Sequence, residues 1–326
     1  MFLFIIYMWK YKSQLLLAVK TKNFVRKDNY IMKKITAILL SAAMLASLTA
    51  CSVQQSGDTS AQSETKAEQS ETKSEQPVNA NAQTENDRET VYQVALLQSL
   101  TQGYYDGIIK VSELKQHGDT GIGTFEGVNG EMIVLDGTVY QALGDGTVQE
   151  ADNNETVPFS NVTFFDKDGS LELSDINNIN ALKEKLNAMV EENGKNLFYF
   201  VKVSGTFDVM NVRSEIKQEK PYKPLDEALA TDQREFNYDN ITGTVVALYC
   251  PDYMGGLNTP GWHFHFISDD KTKGGHILDL QFAKAAAEFD ATPEFDMCLT
   301  DNGDFQQMEL SKDVSDAIKK VETNEE

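Results

Sequence analysis

Basic residues are scarce in this chain. Its 326 residues include 29 Lys and Arg against 50 Asp and Glu, a formal charge of −21. Eight of the basic residues and a single Asp fall within residues 1–51, so the remainder stands at −28. Such a surface has no basic face with which to release counterions from a phosphate backbone, which excludes nucleic acid as a partner. Cysteine is nearly absent as well. Beyond Cys51 only Cys250 and Cys298 remain, enough for one pair in an oxidising compartment, and nothing in the sequence shows that they meet. The apolar run Ile35 to Ala50 is too short to span a membrane comfortably. Histidine is scarce too, with four in all.

Three of those four, His263, His265 and His276, crowd into fourteen positions. If Trp262 to Ser268 is a strand, the two-residue side-chain period places His263 and His265 on one face and Trp262, Phe264 and Phe266 on the other. The polar stretch Asp269 to Gly275 is expected to turn the chain and return His276 on the neighbouring strand. Two nitrogens from one strand and a third from its partner, with coordination positions left open, make the arrangement of a catalytic rather than a structural zinc ion. A lone histidine among aromatics is usually a hydrogen-bonded core residue. Three at this spacing in a chain otherwise almost free of histidine point to metal.

Met32-Lys-Lys34 followed by the apolar run has the charged start and small-residue end of a secretory signal. It closes on Leu48-Thr-Ala-Cys51, which resembles the bacterial lipobox, with cleavage before Cys51 and lipid on its thiol. Residues 1–31 do not fit ahead of such a signal and are expected to be a gene-model extension. From Ser52 to about Glu89 the chain is rich in Gln, Ser, Thr, Glu, Lys and Ala with almost no large apolar residue, and it holds the near repeat Gln62-Ser-Glu-Thr-Lys and Gln69-Ser-Glu-Thr-Lys. That composition cannot bury enough surface to offset its ordering entropy, so a disordered tether is expected, reaching roughly 35 Å from the lipid. The expected organisation is therefore 1–31 extension, 32–50 signal, 51–89 lipidated Cys51 and tether, 90–220 first lobe and 221–326 second lobe. The location expected is outside the cytoplasm, held to the cell membrane through the lipid alone.

In the folded part, Val91 to Leu100 reads as a strand and Tyr104 to Gln116 as a short amphipathic helix. Val128-Asn-Gly130 and Leu135-Asp-Gly137 mark tight turns of a meander. Asp175 to Glu192 reads as a helix with Gly194 just past its end. Leu197 to Val212 is strand-rich and interrupted at Gly205, and Lys217 to Gln233, with Pro221 and Pro224, suits a crossing between the lobes. Strands follow at Thr242 to Tyr249, Trp262 to Ser268, His276 to Phe282 and Phe295 to Leu299, with a terminal helix at Asp313 to Val321. The class expected is α/β of the α+β type: two lobes on mixed β-sheets with a few helices, and the metal site on a β-hairpin of the second lobe.

Several separated motifs together resemble the alpha-acetolactate decarboxylase family. They are Gly121-Ile-Gly-Thr124-Phe, Asn129-Gly-Glu131-Met-Ile, Leu135-Asp-Gly-Thr-Val-Tyr-Gln141, Gly205-Thr-Phe with Arg213, and Gly261-Trp-His-Phe-His265 with His276. The resemblance runs from about Val91 to the C-terminus; the lipobox and tether depart from the pattern of many members. It implies a two-lobed protein, usually dimeric, that converts 2-acetolactate to acetoin and carbon dioxide in acetoin biosynthesis. It also implies zinc on His263, His265 and His276, with Glu131, Thr124, Arg213 and, near the C-terminus, Glu322 as catalytic residues. In that scheme Arg213 orients the substrate carboxylate through its planar donor fork, Glu131 delivers a proton to one face, and Thr124 fixes the carboxylate or a hydroxyl. Gly121 and Gly123 would let the backbone approach the ligand closely.

Two other readings stand beside this one. An extracellular zinc-binding lipoprotein without catalysis would close the ion with a fourth protein ligand and need neither Arg213 nor Glu131. A non-catalytic module for carbohydrate or small acids would keep the scaffold but not the polar set.

Overall fold

The computed structural model describes residues 88–311 together with 314 and 318. The expected signal, Cys51, the tether as far as residue 87, Glu322 and most of the terminal helix lie outside the described residues. The chain opens with β1 (Thr90–Val94), α1 (Leu97–Thr101), β2 (Ile109–Lys110) and α2 (Val111–Leu114). A meander follows: β3 (Thr120–Thr124), β4 (Glu131–Leu135), β5 (Thr138–Ala142), β6 (Val148–Glu150), β7 (Thr156–Val157) and β8 (Phe159–Thr163). Next come β9 (Gly169–Ile176), α3 (Ile179–Asn193), β10 (Phe198–Glu215), α4 (Leu225–Asp232) and β11 (Gln233–Cys250). The last elements are β12 (Gly261–Ser268), β13 (Gly274–Thr292), β14 (Glu294–Cys298) and α5 (Gly303–Gln306).

Among the described residues the strands form two main sheets, the α+β architecture expected. The first has the order β14-β1-β8-β3-β4-β5-β6 and is mixed, because β1 runs parallel to β14 and antiparallel to β8. The second has the order β10-β11-β12-β13-β9, and β10 also pairs with β13, so strands β10 to β13 curl into a closed ring. Apolar side chains of the first sheet (Val91, Ile122, Ile133, Leu135) pack against Phe198, Phe200, Val246, Leu248 and Ile267 of the second. Burying that surface is the favourable term that joins the sheets. A separate core fills the second sheet and receives Leu182, Leu186, Met189 and Val190 of α3.

Five local expectations are corrected. The strand at Val91 stops at Val94, because Ala95 adopts a left-handed conformation (φ 58°) and Leu97 and Leu100 then bury at helical spacing. The helix expected at 104–116 shrinks to the single turn of α2; Ile108 and Val111 donate their N–H groups to Val157 and Glu155 carbonyls, so pairing with a distant strand overrides helical periodicity. The helix expected from Asp175 begins at Ile179, capped by the Asn178 side chain accepting from the Ala181 N–H at 2.9 Å, while residues 175–176 finish β9. Gly205 does not interrupt β10: it sits between Gly243 of β11 and Ala285 of β13, where an added Cβ would lie 2.9 Å from that of Ala285. Residues 217–233 are no crossing between lobes, since β10 and β11 are antiparallel neighbours in one sheet; the segment is a long excursion within their hairpin.

Sheet membership accordingly changes between β8 and β9, near residue 165, rather than at 220. β14 then returns to the first sheet beside β1. The two turn signals fare better: Asp136 and Gly137 have φ 50° and 79°, the mirror-image turn that joins β4 to β5, and Val128 and Gly130 are left-handed as well. Cys250 and Cys298 are both free thiols.

Candidate active site

Register explains why five polar side chains meet. Residues directly opposite in an antiparallel ladder project to the same face. His276 of β13 lies opposite His265 of β12 on one side and opposite Arg213 of β10 on the other. His263 and Glu215 join the same face by the two-residue period. That face looks toward the first sheet, where Thr124 and Glu131 are themselves cross-strand partners. The expected hairpin geometry is thus observed, with Trp262, Phe264 and Phe266 packed into the core behind the histidines.

The three imidazoles converge. His263 Nε2 is 3.0 Å from His265 Nε2 and 3.0 Å from His276 Nδ1, and one nitrogen from each ring lies within 4.8 Å of the others. Nitrogens bound tetrahedrally at the usual zinc distance would be about 3.3 Å apart, so the set fits a single ion. His265 Nδ1 is 2.8 Å from the Met132 carbonyl, to which it donates, and this fixes Nε2 as the lone pair facing the cluster. Burial pushes the His263 pKa down to about 3, with the Arg213 and Lys183 charges adding to the effect. Burial likewise holds His265 well below the ordinary value, helped by His263. Neutral imidazole is the ligand form.

Around this cluster the pocket is part polar and part apolar. Glu131, 7 % exposed, brings Oε2 to 3.4 Å from His265 Nε2. Thr124 Oγ1 donates to the Gly130 carbonyl at 2.8 Å, which leaves its lone pairs as acceptors. Arg213 Nη1 donates to Gln233 Oε1 at 3.2 Å, and Arg213 Nε lies 3.7 Å from Glu215 Oε1. Leu97, Leu100, Val128, Phe159, Leu225 and Leu229 supply the apolar wall. Five of the expected catalytic and metal residues, Glu131, Arg213, Thr124, His263 and His276, line this one pocket, and His265 lies behind it in the cluster. Glu322 lies outside the described residues, and the pocket is described without it.

Sequence reasoning missed Glu215, Gln233 and the α4 leucines. The alternation Arg213-Ser-Glu215 in a strand was the available signal for the first. A Cβ at Gly121 or Gly123 would collide with the Asn161 or Phe159 carbonyl of β8, so their smallness admits the neighbouring strand, and Gly123 also lines the pocket.

Residues 91–312 match the family model described as alpha-acetolactate decarboxylase. The alpha-acetolactate decarboxylase of Methanosarcina mazei is 41 % identical over 239 residues, covering 73 % of this chain and 82 % of that protein. That of Bacillus subtilis strain 168 is 34 % identical over 248 residues, covering 76 % and 95 %. The crystal structure of the alpha-acetolactate decarboxylase from Bacillus subtilis strain 168 superposes with a TM-score of 0.69 at 33 % identity, covering 72 % of this chain and 99 % of that one. A Staphylococcus aureus structure described as a protein of unknown function similar to alpha-acetolactate decarboxylase gives 0.67 at 30 % identity. On the match of the family model, the breadth of these alignments and the shared fold, the chain belongs to the alpha-acetolactate decarboxylase family.

Proposed function

We propose that the chain decarboxylates 2-acetolactate to acetoin and carbon dioxide, with zinc held by His263, His265 and His276. The observation that carries this reading is the meeting, in one pocket, of three converging imidazole nitrogens, the Glu131 carboxyl and the Arg213 guanidinium. A divalent ion there would act as a Lewis acid toward negative charge on the substrate ketone and hydroxyl oxygens.

The protein's own groups account for the rest. Arg213 receives the substrate carboxylate in a two-pronged charge-assisted contact and so sets the direction of the carbon–carbon bond that breaks. When that bond breaks, its electron pair moves to the adjacent ketone, carbon dioxide leaves and an enediolate remains. Glu131 in its acid form then gives a proton to the former carboxylate-bearing carbon, which yields acetoin, and it is reprotonated from water. Because Glu131 reaches the pocket from one side, on β4, a single acetoin enantiomer is the expected product. Thr124, whose proton is engaged by Gly130, accepts a hydrogen bond from the substrate hydroxyl. The leucine wall excludes water from the enediolate.

A zinc-storage site closed by a fourth protein ligand is less favoured. Among the described residues the metal-holding group contains the three histidines and no Cys, Asp or Glu. We further propose that Cys51 carries lipid and tethers the enzyme outside the cytoplasm, and that the enzyme is a homodimer. Chelator-stripped protein titrated with zinc while acetoin formation is followed tests the catalytic reading. Activity should return in proportion to about one zinc per chain; full activity without bound metal would refute the metal's role.

A further inference from the structure

We propose that Glu215 is a positioning residue: it holds the Arg213 guanidinium at the angle from which Arg213 receives the substrate carboxylate. The inference rests on the reading that Arg213 binds that carboxylate.

Glu215 ends β10, two residues beyond Arg213, so the strand's period puts both side chains on the pocket face. Both are buried, at 3 % exposure for Arg213 and 5 % for Glu215. Taking either ion out of water alone is unfavourable, and here each has the other beside it. The contact between them is an ion pair, at 3.7 Å from Nε to Oε1, which is longer than a hydrogen bond. Arg213 Nε has no hydrogen-bonding partner among the described residues, so a shift of less than about 1 Å by either side chain would turn the ion pair into a charge-assisted hydrogen bond.

A second anchor comes from the same place. Gln233, which accepts from Arg213 Nη1, is the cross-strand partner of Glu215 at the mouth of the β10–β11 hairpin. One register pair therefore engages two of the three guanidinium nitrogens. Since the group is planar, anchoring Nε and Nη1 fixes where Nη2 points. A second carboxylate in a pocket that must admit an anion is otherwise unfavourable, as like charges repel. Its use lies in compensating and aiming Arg213.

The test uses the full-length, zinc-loaded enzyme, with KM and kcat for 2-acetolactate and the Kd of 2-hydroxyisobutyrate, a carboxylate that lacks the ketone. Glu215→Leu keeps volume and removes the acceptor; it should raise KM and Kd by roughly tenfold while zinc content stays the same. Glu215→Gln keeps an acceptor at the same reach and should stay within about threefold of the parent. Glu215→Asp keeps the charge but is one methylene short, and should bind more weakly than Glu215→Gln. In an Arg213→Ala background Glu215→Leu should change Kd by less than about twofold, because the group it positions is gone. The proposal is overturned if Glu215→Asp binds better than Glu215→Gln, or if Glu215→Leu costs as much without Arg213 as with it. The order of the Gln and Asp variants decides even if the Leu variant does not fold. Arg213→Ala binding the probe as the parent does would instead refute the carboxylate reading itself; weak binding there with normal binding in every Glu215 variant would refute only the role of Glu215.

Discussion

His265 Nδ1 lies 2.8 Å from the Met132 carbonyl oxygen, a hydrogen bond that ties β12 of the second sheet to β4 of the first beside the converging histidine nitrogens. The ligand that completes the histidine cluster is thus also a clasp between the sheets. Met132 follows Glu131, so the same contact sets the acid's distance from the cluster.

Removing one ligand should therefore separate metal loss from fold loss. His276→Ala should lose zinc and activity together, activity by about three powers of ten, the scale of a Lewis acid worth several kcal/mol. His265→Ala should do the same and also lower the melting temperature, because the buried hydrogen bond that joins the two sheets is lost. Metal analysis and thermal melting on the same preparations check both; stoichiometric zinc in either variant would remove that residue from the site.

Asn258 precedes β12, which carries His263 and His265, and is buried, with Nδ2 donating at 2.8 Å to both Gln93 Oε1 and Asn161 Oδ1. Asn258→Ala leaves two buried acceptors unsatisfied and should cost about 2–4 kcal/mol of stability. Denaturant unfolding measures it, and a loss under about 0.5 kcal/mol would show that the network contributes little.

Asp290 is buried on β13, and burial pushes its pKa up to about 7; the Asp166 N–H pulls it down, while Asp168, Glu89 and Asp166 charges push it up. The unfolded value is about 3.9, so the folded state holds the proton more tightly between these limits. Stability from this group is full below about pH 4 and is lost as pH rises through about 7. Asp290→Asn should leave the melting temperature nearly unchanged at pH 4 and raise it by roughly 2–4 °C or more at pH 8. An equal shift at both pH values would contradict this.

Cys51→Ser should block lipid attachment and release the protein to the soluble fraction, or leave it unprocessed. Fractionation of cells decides; unchanged membrane association would remove Cys51 as the anchor.

The histidine hairpin was legible because its signal is local: period-two alternation around His263 and His265, then a polar turn returning His276. The helix α3 was legible for the same reason. What escaped was set by partners distant in sequence. Nothing within 104–116 announces that Ile108 and Val111 will pair with residues near 156, and nothing within 217–233 shows that its flanking strands are neighbours. Glu215 looks like any acid on a strand until its burial beside Arg213 is seen. Thr124 lines the pocket, but only its bond to Gly130 reveals that it presents an acceptor.

Carbon dioxide release from racemic 2-acetolactate, compared between the parent and Glu131→Gln loaded with equal zinc, tests the central claim most directly. Gln keeps the shape of Glu131 but has no acid proton to give. The parent should release carbon dioxide and acetoin in equal amounts, and the variant, folded and with the same zinc content, should form acetoin slower by about two powers of ten or more. No carbon dioxide from the parent, or parental acetoin formation by the variant, would contradict the account.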